Sequence, residues 1–74
     1  MGVGSMEKIK EIGLALKKAR EGKGYTVRSF ATEVGLSPTT ITRIENGIHS
    51  PGLKVLISIS EKLGMEVKIE KAIV

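Results

Sequence analysis

The chain has no cysteine, no tryptophan and no aspartate, and only one histidine, two prolines and two aromatic residues, Tyr25 and Phe30. Each absence removes a class of protein. Without cysteine there are no disulfides and no thiolate metal ligands. His49 stands alone in its stretch of sequence. It has no second ligand near it to hold a metal, and no base or nucleophile partner from which a catalytic constellation is built. Gly22-Lys23-Gly24 is too short to cradle a phosphate and lacks the Lys-Ser/Thr that follows such a loop. No enzymatic activity, metal or cofactor is therefore expected. No apolar run is long enough to span a bilayer and no secretory signal pattern is present, so a cytoplasmic location with no membrane partner is expected.

At 74 residues the chain has room for one domain. A domain this small buries only roughly 60% of the surface its unfolded chain exposes. With disulfides and metals excluded, oligomerisation is the common remaining source of stability. Twelve Lys and Arg against eight Glu give a net charge of +4. That suits an anionic partner without requiring one. The glycine-rich start, residues 1–6, is read as a disordered or cloning-derived leader. Residues 7–64 are read as the folded domain, and residues 65–74 as a tail of different character.

The stretch from Thr26 to Gly47, TVRSFATEVGLSPTTITRIENG, carries the strongest pattern. Val27, Phe30, Ala31 and Val34 fall at i, i+3, i+4 and i+7 and line one face of a helix. Thr26 is placed to cap it. Gly35, just past Val34, suits the left-handed conformation that ends a helix. Leu36 then points inward. Ser37 is a good N-cap and Pro38 suits the first helical position. Ile41 and Ile44 continue the apolar stripe, and Asn46-Gly47 supplies the stop. Ala31 is small where two helices crossing over a short turn must approach closely.

This stretch resembles the helix-turn-helix of the phage repressor/Cro-like (XRE) family of DNA-binding proteins. The family has a small residue early in the first helix, a glycine in the turn and branched apolar residues at two later positions. Ala31, Gly35, Ile41 and Ile44 fill those places. The ending RIENG (Arg43 to Gly47) looks like the exit of the family's second helix. Upstream, Ile12 to Thr26 looks like its first helix and lead-in; downstream, Ser50 to Gly64 looks like its final helix. The resemblance implies an all-α fold, a compact repressor-like domain of four to five helices. One departure stands at Val27, where the family often has a glutamine that touches a phosphate; Arg28, next to it, offers a charge instead.

Outside the motif, Ile9, Ile12, Leu16 and Ala19 make a helical stripe that Gly22-Lys23-Gly24 ends. Ser50-Pro51 reads as another cap followed by proline. Leu53, Leu56, Ile59, Ser60 and Leu63 read as the inner face of a last helix ending at Gly64. The tail alternates instead, with Met65, Val67 and Ile69 against Glu66, Lys68 and Glu70, the period of a half-buried strand. A lone strand leaves its backbone unpaired, so the expected partner is the same strand of a second copy across a two-fold axis. Centring that axis on Val67 sets Glu66 against Lys68 and Met65 against Ile69. Centring it on Ile69 sets Lys68 against Glu70. Centring it on Lys68 opposes like charges and is disfavoured.

With Leu36, Ile41 and Ile44 turned inward, Pro38, Thr39, Thr42 and Arg43 are left for a DNA major groove. The resemblance points to the same positions. Arg43 suits paired hydrogen bonds to guanine O6 and N7, the threonines suit hydroxyl or methyl contacts, and Pro38 offers shape alone. Ser37, Thr40 and Asn46 are placed for phosphates, with Arg28 and Lys54 extending the electrostatic contact. Three threonines on an exposed face, where better helix formers are available, weigh toward function. In related proteins an arginine late in the first helix pairs with a glutamate before Asn-Gly. Arg20 and Glu45 match those places and are expected to form a buried salt bridge. The function expected is sequence-specific binding of double-stranded DNA by a homodimeric transcriptional repressor at a palindromic operator, in the nucleoid. The alternative is the antitoxin of a toxin–antitoxin pair, or another interaction module whose partner is a toxin or a second regulator.

Overall fold

A computed structural model describes residues 3–66 of the chain. Four helices follow one another: α1 (Val3–Gly22), α2 (Val27–Val34), α3 (Pro38–Glu45) and α4 (Leu53–Lys62). α1 takes in residues 3–6 of the leader set apart on composition. The core is Leu16 of α1, Phe30 and Ala31 of α2, Ile41 and Ile44 of α3, Ile59 of α4, and Leu63 just past it. The Tyr25 and Phe30 rings meet at 5.2 Å between centroids, tilted by 56°. That is within the range of favourable aromatic pairs.

All four helices end in the same way. An N–H just past each helix reaches back to a carbonyl of its last turn: Tyr25 to Arg20, Leu36 to Ala31, Ile48 to Arg43, and Met65 to Ser60. The residue just before each donor is a glycine with φ between 71° and 82°, a backbone conformation other residues adopt at a steric cost. The closing residue is apolar or aromatic each time. Tyr25, Leu36 and Met65 pack against the core, whereas Ile48 is 73% exposed.

Three expectations need correction. The inner face of α1 is shifted from the expected stripe: Leu16 is buried and Ala19 packs against the core as expected, but Gly13 and Arg20 are buried too, while Ile12 is 44% exposed. The reason is at Gly13, where any side chain would collide with the backbone of Ile44 and Glu45. The bare glycine lets α1 lie directly on the end of α3. Second, Ser50 does not cap α4. The cap is Gly52, which makes no side-chain hydrogen bond, so Leu53 falls in the first turn and is 60% exposed. Third, there is no strand among the described residues. The expected strand starts at Met65, but the Met65 N–H closes α4 on the Ser60 carbonyl at 2.8 Å and is committed to the helix end. Val67 and Ile69, with the rest of residues 67–74, lie outside the described residues.

Candidate nucleic-acid interface

Local chemistry fixes both ends of α3. Ser37 Oγ accepts the Thr40 N–H at 3.1 Å, and the two hydroxyls lie 2.9 Å apart. Pro38 follows in the first turn, where its missing N–H costs nothing. At the other end the Arg43 carbonyl accepts the N–H groups of both Ile48 and His49. α2 is set up similarly. Thr26 Oγ1 accepts the Ser29 N–H, and Ser29 Oγ accepts the Thr26 N–H, each at 3.0 Å. This reciprocal box was not evident in the sequence, because serine rather than glutamate or glutamine stands at its second position.

One side of α3 is buried through Ile41, Ile44 and Glu45. Pro38, Thr39, Thr42, Arg43 and Asn46 are exposed. They recur at i, i+1, i+4, i+5 and i+8, which is one continuous helix face. Among the described residues Arg43 makes no ion pair, so its guanidinium is available to a ligand. Thr40 is half-buried, with its N–H and hydroxyl both engaged with Ser37. Lys54 is exposed and shares a surface groove with Leu36, next to the start of α3. Arg28 is also exposed, on α2, and its carbonyl accepts the Thr32 hydroxyl at 3.1 Å. No described contact joins Arg28 to the α3 face. Val27, at the glutamine position of the resemblance, is half-buried and packs against the core.

α3 is held from behind by α1. Arg20 Nε donates to Glu45 Oε2 at 2.7 Å and Nη2 to Oε1 at 3.1 Å, while Nη1 donates to the Tyr25 carbonyl at 2.7 Å. Both residues are buried. The hydrogen bond to Glu45 raises the arginine above its usual range; burial opposes this, and the charges of Glu45 and then Glu21 add to it. Arg20 is therefore cationic at any pH where a nucleic acid is bound. Gly13 adds a second hold: a Cβ built there would lie 2.6 Å from the Glu45 carbonyl oxygen and closer still to that of Ile44. A Cβ built at Gly47 would likewise lie 2.6 Å from Cγ of Lys10 on α1 and 3.0 Å from its Cα. Sequence reasoning missed Gly13 and Gly47 as packing points. The available signal at Gly13 was a glycine inside a helix, which costs about 1 kcal/mol relative to alanine and so asks for a reason; Gly47, past the end of α3, reads only as a helix stop.

The chain resembles known proteins over most of its length. A family model described as "Helix-turn-helix" matches residues 16–69. The HTH-type transcriptional regulator SlrR of Bacillus subtilis (strain 168) is 34% identical over 56 residues, covering 74% of this chain and 37% of that protein. Endothelial differentiation-related factor 1 of Rattus norvegicus is 29% identical over 58 residues, covering 78% and 39%. The crystal structure of the clp gene regulator ClgR from Corynebacterium glutamicum matches with a TM-score of 0.72 at 30% identity, over 76% of this chain and 60% of that one. The chain thus spans less than two-fifths of the length of the curated relatives it matches.

Proposed function

The chain belongs to the helix-turn-helix family, and from that premise we propose that it binds double-stranded DNA sequence-specifically as a homodimeric transcriptional regulator. α3 enters the major groove in this reading. The observation that carries it is the division of α3 into two faces. Ile41, Ile44 and Glu45 fix the helix to the body, and Pro38, Thr39, Thr42 and Arg43, which makes no ion pair among the described residues, are left facing out. Arg43 reads a guanine through O6 and N7, and Thr39 and Thr42 meet base edges or thymine methyl groups. Ser37, Asn46 and Lys54, with the first turn of α3, hold the flanking phosphates. Thr40 serves by tightening that first turn, and Arg28 adds positive charge to the same side chain set.

A homodimer presents two α3 helices about one helical turn of DNA apart, roughly 34 Å, and its site is a palindrome. Repression follows where such a site overlaps a promoter. Selection of bound duplexes from a random pool tests the reading. A palindromic consensus is the expected result. Binding with no sequence preference, lost on a modest rise in salt, would reduce the protein to a basic surface.

A further inference from the structure

The chain leaves α3 directly over α1. Gly47, one residue past the cap at Asn46, lies against Lys10. A Cβ built on this glycine would stand 2.6 Å from Lys10 Cγ, 3.3 Å from its Cβ and 3.0 Å from its Cα. The approach therefore involves the backbone of α1 and not only a movable side chain. One turn on, Gly13 is pressed against the carbonyls of Ile44 and Glu45, so two successive turns of α1 fix the crossing. The stem of Lys10 is thereby seated at the exit of α3, where Asn46 and Ile48 are exposed on either side of Gly47. Lys10 is itself exposed and makes no ion pair among the described residues.

The two ends of α3 differ in what they offer a phosphate. At the N-terminus the helix dipole and the free N–H groups favour an anion. At the C-terminus the dipole is reversed and repels one. Glu45 is matched there by Arg20 and brings no remedy. A helix of eight residues is about 12 Å long at 1.5 Å per residue, and the major groove is about 12 Å wide. With α3 in the groove, the backbones on both walls come within reach of its ends. The strand near the exit therefore needs a cation that α3 does not supply, and Lys10 is a cation the fold holds at that place.

We propose that Lys10 is a phosphate contact, and that with Asn46 it holds the strand across the groove from the one at Ser37 and Lys54. This rests on the DNA-binding reading of α3 and adds to it a residue of α1, outside the helix-turn-helix. It also gives the bare backbone at Gly47 a use, since a side chain there would displace the Lys10 stem from the exit. A purely structural role is the competitor: a cation at a helix C-terminus offsets the dipole, and its loss would be felt in stability alone.

The test compares Lys10→Met, which keeps most of the stem and removes the charge, with Lys10→Arg and Lys8→Met. Lys8 is exposed and carries the same charge two positions away, on the opposite side of α1. Affinity for the selected duplex is measured over a series of salt concentrations, alongside the thermal unfolding of each variant. Lys10→Met should weaken all duplexes alike and flatten the slope of log affinity against log salt by about 0.9 per bound chain, the value for one phosphate. It should melt like the unmodified chain. Lys10→Arg should keep the slope, and Lys8→Met should leave it almost unchanged. Equal slopes for Lys10→Met and Lys8→Met would overturn the proposal and leave the DNA reading standing. A lowered melting temperature with an unchanged slope would overturn it in favour of the dipole role. An unmodified chain that selects no duplex would overturn the reading beneath it.

Discussion

The Arg20 guanidinium holds both carboxylate oxygens of Glu45, at 2.7 and 3.1 Å, and thereby ties the last turn of α1 to the last residue of α3. The third guanidinium nitrogen holds the Tyr25 carbonyl just before α2. One side chain therefore reaches both arms of the motif. Its position fixes how far α3 stands out from the body, which is the property a reading helix depends on.

Removing one partner leaves the other charge buried without compensation, and such losses run to about 3–5 kcal/mol. Glu45→Ala should lower the unfolding free energy by about that amount in urea titrations followed by circular dichroism. Arg20→Lys should recover little, because an ammonium cannot make the two-point contact. The double change Arg20→Met/Glu45→Leu should be less damaging than either disruptive single change, since it leaves no orphaned charge.

Gly13 and Gly22 make a matched pair. Both are in α1, but a Cβ at Gly13 would collide with backbone, whereas one at Gly22 meets nothing within 4 Å. Gly22→Ala should be neutral or stabilise by about 0.4–1 kcal/mol, through reduced freedom of the unfolded chain. Gly13→Ala should destabilise by about 1–3 kcal/mol as α1 is forced off α3. Thermal unfolding of the two variants side by side reads the contrast. Equal melting temperatures would mean that the close approach is not there.

Ser37 caps α3 through the Thr40 N–H. Ser37→Ala should cost about 1 kcal/mol of stability, and Ser37→Gly only a few tenths. If the hydroxyl also meets a phosphate, the glycine variant should bind DNA more weakly while melting almost normally.

Lys54 lies by the turn into α3 and is read as a phosphate contact. Lys54→Ala should weaken binding to all duplexes alike and reduce the slope of log affinity against log salt by about 1. A loss confined to one sequence would reassign it to base reading.

How much of this was legible in the sequence follows from the range of each interaction. The ends of α2 and α3 are governed by neighbours in the chain. Thr26, Gly35, Ser37 and Pro38 take the places their chemistry suggests. The inward positions of Phe30, Ala31, Ile41 and Ile44 follow from the helical period in the same way. The phase of α1 is different, because it is decided by contact with residues about thirty positions away. Ile12 is apolar and correctly spaced, yet the close approach at Gly13 turns the helix so that Ile12 is left 44% exposed. The start of α4 was misplaced because Ser50-Pro51 is a strong local signal, but Gly52 takes the cap without one. At Met65 a period-two pattern competes with a helix-closing hydrogen bond to Ser60, and the bond prevails there. For the α3 face the sequence indicated which side chains are exposed, but not that Arg43 makes no ion pair among the described residues.

The central claim, that α3 reads bases and Arg43 is its chief reader, is tested most directly by one titration. Unmodified protein and Arg43→Ala are titrated against the selected operator and against operators changed at each base pair of a half-site in turn. The account predicts that Arg43→Ala loses about tenfold or more on the selected operator. It also predicts that the variant becomes indifferent to one G·C pair in each half-site while still discriminating at the others. A variant that weakens on every duplex by the same factor, with its base preferences intact, would contradict the claim and make Arg43 a phosphate contact.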